Sequence, residues 1–295
     1  MRTEQLLLGS EKTKNLHAAR CPLALRGCAV CVAAILGTVT AFILYSGIEA
    51  LTQSSRLALF GSVWSPASGK FGILAMIQAS ILLALSALTL GWVLSLGLCC
   101  LMNGLAPKFI AKIIMLVINM MAAIPTVVYG FAAVFLLVPV IRDALGGTGF
   151  CWLTAGMLLA LQGVPAMTII MNGAMSQISR ESKVTSQALG FTNVQHLTHV
   201  VMPLSGKAMI SAAIIGLGRA VGDALLPTML AGNAIRFAHS PVDSMRTLTA
   251  HISLVLSSDI GGGEHLSLLL AGALLLTFCA IVSLAARHLI RGKNS

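Results

Sequence analysis

Six stretches of this chain, 27–48, 71–107, 113–141, 144–179, 184–206 and 265–286, contain no Asp, Glu, Lys or Arg, and a seventh, 208–235, is interrupted only by Arg219 and Asp223. A bilayer crossing needs about 20 consecutive apolar residues. Most of these runs are that long, and a water-soluble fold has no interior large enough to hide them all. Composition agrees: 57% of the 295 residues are hydrophobic and 9% charged, against roughly 25% charged in an ordinary soluble domain. The run 184–206 is set aside as a crossing because ten of its 23 residues are polar and it ends in Pro203 and Gly206. Six crossings are expected, near 27–48, 73–101, 112–138, 151–173, 208–231 and 266–286, in an all-α integral membrane protein.

The net charge of +10 would suggest nucleic acid in a soluble protein. Here aromatics are only 5% and the basic residues lie between apolar runs, so a nucleic-acid binder is excluded. With the amino terminus in the cytoplasm, Arg56, Lys70, Arg142, Arg236 and Arg246 lie outside, Arg219 lies within a helix, and the other thirteen Lys and Arg lie inside. That asymmetry is the positive-inside pattern. The expected location is the cytoplasmic (inner) membrane, multi-pass, with both termini cytoplasmic. Residues 1–26 are polar, and the apolar run after them is too long for a signal-peptide core and lacks a cleavage site, so it reads as a retained first helix. Cys28-x-x-Cys31 lies on a membrane helix without partner ligands and reads as packing. No disulfide framework, metal or cofactor is expected from the seven cysteines.

Along the chain the expected units are a cytoplasmic segment 1–26, a first crossing with its external loop 27–72, a permease-like core 73–290 and a tail 291–295. Three connections, 49–72, 174–207 and 232–264, are too long for simple turns, and loops of such length tend to carry function. In the cytoplasmic one the residues favour a helix from Ser179 to Leu189, a left-handed cap at Gly190, and a second segment from Asn193 to Met202 that stops at Pro203. A plain solvated linker is the alternative.

Several stretches together resemble the permease subunits of binding-protein-dependent ABC importers. The cytoplasmic signature of that family is Glu-Ala-Ala, three residues, Gly, nine residues, then an apolar residue, any residue, Leu and Pro. Gly190 and Pro203 stand thirteen apart as required, and Val200 and Met202 fill the two apolar positions. The Glu-Ala-Ala element reads Val184-Thr185-Ser186, and the nearest glutamate, Glu181, is three residues early. The resemblance implies a MetI-like core whose loop about 174–207, with Glu181, Ala188, Gly190 and Pro203, docks a separate ATPase subunit. Within the family the chain is most similar to the phosphate-specific, PstC-type branch. That likeness rests on Trp64-Ser65-Pro66 with Gly69-Lys70-Phe71-Gly72, on Ala122 to Gly130, and on Gly216 to Asp223, where family members usually carry Glu at the last position. It implies import of inorganic phosphate with a second (PstA-like) permease, a PstB-like ATP-binding subunit dimer and an external PstS-like phosphate-binding protein. Another oxyanion, such as molybdate, tungstate or sulfate, is the alternative, followed by a secondary transporter or channel.

Arg219 and Asp223 are four apart in an otherwise uncharged run, so on one continuous helix they share a face. Twelve residues from Lys207, Arg219 sits about 18 Å along such a helix, near mid-bilayer. A charge there costs at least about 2.5 kcal/mol and calls for a partner, cavity or pathway. A guanidinium offers planar, bidentate bonds to oxyanions. Arg219 and Asp223 are therefore the candidate substrate path, with a static ion pair as the alternative. Gly218 and Gly222 form a Gly-x-x-x-Gly pair, extended by Gly216, that lets backbones approach closely, and Pro125 frees a carbonyl where a gate or kink could form. No zinc-protease His-Glu-x-x-His and no phosphate-cradling Gly-x-x-x-x-Gly-Lys-Ser/Thr occurs, so the chain is expected to be a non-catalytic subunit that does not itself hydrolyse ATP.

Overall fold

The structure, a computed structural model, describes the backbone of residues 2–53, 60–257 and 263–291 and the side chains of 25–52, 60–257 and 264–284. In hydrocarbon every backbone amide must find its partner within its own segment, so the charge-free runs fold as helices. In chain order these are α1 (Arg2–Gln53), α2 (Leu74–Cys100), α3 (Lys108–Ala123), α4 (Thr126–Leu145), α5 (Trp152–Ala188), α6 (Asn193–His196), α7 (Met202–Leu204), α8 (Gly206–Gly222), α9 (Leu225–Leu230), α10 (Leu248–Leu256) and α11 (Gly263–Arg291). A two-residue hairpin, β1 (Trp64–Ser65) and β2 (Lys70–Phe71), sits between α1 and α2, with Trp64 opposite Phe71.

Among the described residues, five helices are long and apolar enough to cross a membrane, and a sixth only if Asn193–Leu204 and Gly206–Gly222, bent by 67°, count as one span. The count of six therefore rests on that bent pair, and the expected crossings differ in their bounds and continuity. The third, 112–138, is two helices, because Ile124 and Pro125 are both extended between α3 and α4. Proline pushes its predecessor out of the helical region and supplies no N–H of its own. The fifth, 208–231, ends at Gly222, where Asp223 turns extended and the short α9 begins anew. The fourth runs through Pro165 without a break, well past 173, to Ala188.

A polar seam joins α2 to α5 at the centre. Ser95 Oγ donates to the Val164 carbonyl (3.3 Å), Cys99 Sγ to that of Thr168 (3.6 Å) and Asn103 Nδ2 to Asn172 Oδ1 (2.8 Å). Each pair is 69 residues apart in sequence, so the two helices run parallel. Parallel crossings must be separated by an odd number of others, which makes α3 and α4 together one passage back. Small residues allow the close approach: a Cβ on Gly91 would lie 3.1 Å from the Ala160 carbonyl oxygen and 2.7 Å from Met167 Cε. Packing is further anchored by Met167, Met171 and Met175, all buried around Cys99, Leu197 and Val201.

The parallel seam sorts the connections onto two ends. At one end lie the starts of α2 and α5 with the segment 232–247, where Gln78 exchanges two hydrogen bonds with the Ala238 backbone and Trp152 N donates to the Asp243 carbonyl. At the other lies the turn through Gly190. α1 packs on α11, with Gly47 against Ala273, and its remaining apolar surface, including Ile35, Leu36 and Phe42, is exposed, as suits a helix facing lipid or a partner chain.

Candidate functional site

Two regions gather the candidate residues. The first is the pair of helix breaks, between α3 and α4 and between α8 and α9. Arg219 lies on the exposed side of α8, and among the described residues its side chain has no hydrogen bond and no ion pair. Its charge reaches the hydroxyl of Tyr129, which donates to the Met121 carbonyl (2.9 Å) across the α3–α4 break. Asp223 does not pair with Arg219. The helix stops one residue before it, so the shared face expected from the spacing of four does not exist. Instead Asp223 Oδ1 accepts from the amides of Leu225 (2.9 Å) and Leu226 (3.0 Å), capping the start of α9. The capping side chain satisfies amides that a new helix leaves without partners.

The glycines divide. Gly216 is buried against Met167, which a Cβ there would strike, whereas a Cβ on Gly218 or Gly222 would meet nothing within 4 Å. The exposed strip Gly218, Arg219, Gly222 is thus a bare backbone surface flanking one cation. Pro125 is exposed at the start of α4. Two residues that sequence reading did not single out tie the breaks to the rest of the fold. Gln162, buried in α5, donates from Nε2 to Thr126 Oγ1 (2.7 Å), while its Oε1 has no partner among the described residues. Thr249 Oγ1 donates to the Asp223 carbonyl (2.9 Å), tying α10 to the break. An amide side chain in the charge-free run 144–179 is the one signal that could have pointed to Gln162.

The second region is the folded loop after α5. Gly190 adopts φ +78° and its amide donates to the Gln187 carbonyl (3.0 Å), so a left-handed turn ends the helix where the sequence suggested. α6 then starts with a capping box, in which Thr192 Oγ1 accepts from the Gln195 amide and Gln195 Oε1 accepts from the Thr192 amide. His196 is buried, its Nδ1 2.9 Å from Ser186 Oγ and its Nε2 3.4 Å from Ser179 Oγ, which clamps α6 to α5. A widened π turn, Leu197–Val201, carries the helix through Pro203 to Leu204, so the segment does not stop at the proline as expected. A proline gives no N–H to the ladder, and the widened turn just before it lets the helical stretch pass through. Glu181, Ala188, Gly190 and Pro203 are exposed, Glu181 accepting from Gln177 Nε2 (3.1 Å). Around them Val184 and Leu189 stand 76% and 70% exposed, an apolar knob at a polar end of the molecule.

A model of the family described as "Binding-protein-dependent transport system inner membrane component" matches residues 95–295. The chain is 28% identical to the "Probable ABC transporter permease protein YqgH" of Bacillus subtilis, covering 98% of this chain and 96% of that one. It is 28% identical to the "Phosphate transport system permease protein PstC" of Xylella fastidiosa, over 81% of this chain and 80% of that one. The probable PstC of Methanocaldococcus jannaschii is 27% identical over 68% of this chain and 70% of its own. Among solved structures, the MetNI methionine ABC transporter in an inward-facing conformation superposes with a TM-score of 0.59 at 16% identity, covering 75% of this chain and 95% of that one. That likeness concerns the fold.

Proposed function

This chain belongs to the binding-protein-dependent transport system inner membrane component family, and on that premise we propose that it is the permease subunit through which an ATP-driven importer moves inorganic phosphate across the cytoplasmic membrane. A permease of such a system works with an ATPase and an external binding protein, and in general with a second permease. Here those partners are a PstA-like permease, a PstB-like ATPase dimer and a PstS-like phosphate-binding protein. The phosphate reading is supported by the PstC relatives, which span most of the chain. The observation that carries it is Arg219: a guanidinium on a membrane helix, flanked by two bare glycines, with no carboxylate of its own. A cation so placed is stabilised by an anion that comes and goes.

In this reading the strip Gly218–Arg219–Gly222 lines the path where the two permeases meet, with the α3–α4 break at Pro125 opposite it. Asp223 holds the α8–α9 corner and so keeps Arg219 at the end of its helix. The turn through Gly190, with Glu181, Ala188 and Pro203 around it, docks into the ATPase and passes nucleotide-driven motion to α5 and α8. ATP hydrolysis belongs to the partner, and both termini lie in the cytoplasm.

The test is phosphate uptake by the complete complex in proteoliposomes, with sulfate and molybdate as competing cargoes. Arg219→Gln is expected to lower uptake at least about 100-fold at unchanged complex yield, because a neutral amide cannot supply the charge-assisted bonds. Arg219→Lys is expected to restore only part, since a point charge lacks the planar fork. Normal uptake by Arg219→Gln would remove Arg219 from the path, and a complex that carries sulfate or molybdate but not phosphate would overturn the substrate.

A further inference from the structure

On the end of the molecule that holds segment 232–247, a second cation lies among polar atoms that the chain leaves unsatisfied. Trp64 of the hairpin meets His251 of α10 edge to face, with ring centroids 5.2 Å apart. The Arg246 guanidinium carbon sits 5.8 Å from the centroid of the Trp64 ring, and its charge acts on His251. Arg246 Nε donates to the Asn233 carbonyl (3.2 Å), and among the described residues no carboxylate pairs with this guanidinium. Among the described residues, Trp64 Nε1, His251 Nδ1 and Asn233 Oδ1 are all buried without a partner. Three orphaned polar atoms around one half-buried cation are far from the usual condition of a folded interior, where nearly every such group is bonded.

The hydrogen-bond pattern fixes the chemistry of each orphan. Ser267 Oγ donates its single proton to the Glu264 carbonyl (2.7 Å), so toward His251 Nε2, 3.1 Å away, it can only accept. His251 therefore carries its proton on Nε2 and presents a lone pair at Nδ1. Burial, helped by the Arg246 charge, pushes this imidazole down to about 4, so it stays neutral at physiological pH. Asn233 donates from Nδ2 to the Thr228 carbonyl (2.7 Å), which leaves Oδ1 as an acceptor. The cluster thus offers donors, Trp64 N–H and the Arg246 guanidinium, beside two bare acceptors.

We propose that Trp64, Arg246, Asn233 and His251 form an outer receiving site for a protonated tetrahedral oxyanion, ahead of Arg219 on the import path. Arg246 and Trp64 donate to anionic oxygens; His251 Nδ1 or Asn233 Oδ1 accepts from a hydroxyl of the same ion. Phosphate carries at least one O–H at neutral pH and satisfies both kinds of group, whereas sulfate and molybdate carry none and leave the acceptors facing lone pairs. Such a site rejects the wrong ion through its own unpaired groups. The proposal rests on the phosphate reading, and position supports it: Thr249, three residues beyond Arg246, bonds the Asp223 carbonyl beside the path.

The experiment titrates the purified permease complex, without binding protein, with inorganic phosphate and with sulfate at constant ionic strength, reading tryptophan emission. A saturable change is expected with phosphate, at least tenfold weaker with sulfate, and absent in Trp64→Phe. Arg246→Gln should weaken phosphate at least tenfold, with Arg246→Lys intermediate and, because it keeps the cation, decisive if the glutamine variant does not assemble. His251→Gln, which can turn a donor toward the ion, should narrow the gap between phosphate and sulfate. A phosphate response that is absent, or that persists unchanged in Trp64→Phe, while phosphate uptake is normal, would mean the cluster holds only water; it would overturn this site and leave the phosphate reading standing. Absence of phosphate uptake by the wild-type complex would overturn that reading itself.

Discussion

Asp223 illustrates how one residue's job changes when its helix ends a residue early. With Oδ1 on two amides of α9, it acts through backbone geometry. Asp223→Ala should therefore cost about 1 kcal/mol, the usual worth of such a cap, and lower the melting temperature of the purified complex. Asp223→Asn keeps an oxygen acceptor and should melt close to wild type; equal losses in both would point to the charge. His251 sets a second expectation. Its folded value of about 4 lies below the ordinary 6.5, so the folded state favours the neutral ring. That contribution is complete above about pH 6.5 and is lost as pH falls toward 4. By pH 5 the loss amounts to about 2 kcal/mol. Thermal melts at pH 7 and pH 5 should show a drop for wild type and a smaller one for His251→Gln.

At the scale of elements, what matters is where helices stop. α5 ends because Gly190 takes a left-handed conformation that side chains with a Cβ rarely adopt. Space is not the constraint, since a Cβ there would meet nothing within 4 Å. Gly190→Asn should then be tolerated, as asparagine accepts this region better than most. Gly190→Pro, which cannot reach φ +78° and loses the bond to Gln187, should leave the protein inserted but abolish ATPase stimulation in the reconstituted complex. Normal stimulation in the proline variant would separate this turn from coupling. The buried clamp of His196 on Ser186 and Ser179 explains how a loop of exposed apolar residues keeps one shape before its partner arrives.

For the whole molecule, the parallel α2–α5 seam places the turn at Gly190 and the loop at 146–149 on opposite ends, and the distribution of Lys and Arg predicts which side each end faces. A reporter inserted at 146–149 should be external and one at 188–191 cytoplasmic, read by accessibility of an impermeant thiol label. The reverse pattern would invert the protein and with it the side from which phosphate enters. The same parity argument holds whether or not the bent pair Asn193–Leu204 and Gly206–Gly222 is counted as one span.

Charge-free length and the placement of basic residues determined by themselves that this chain is a helical membrane protein, because hydrocarbon admits no other backbone solution for such runs. The Gly190 turn was legible for a similar reason, since a left-handed cap is a local fact about a single residue, and so was Arg219 as a charge inside a long apolar run. The break at Pro125 follows from proline's own geometry, whereas only the tertiary structure decided that the run 208–231 breaks at Asp223, since a period of 3.6 continues on paper through it. It alone revealed that Asp223 faces amides rather than Arg219. It also brought Trp64, Asn233, Arg246 and His251 together from one hairpin, a turn and a short helix. Pairings between residues so far apart in sequence are set by packing, and no spacing rule along the chain encodes them.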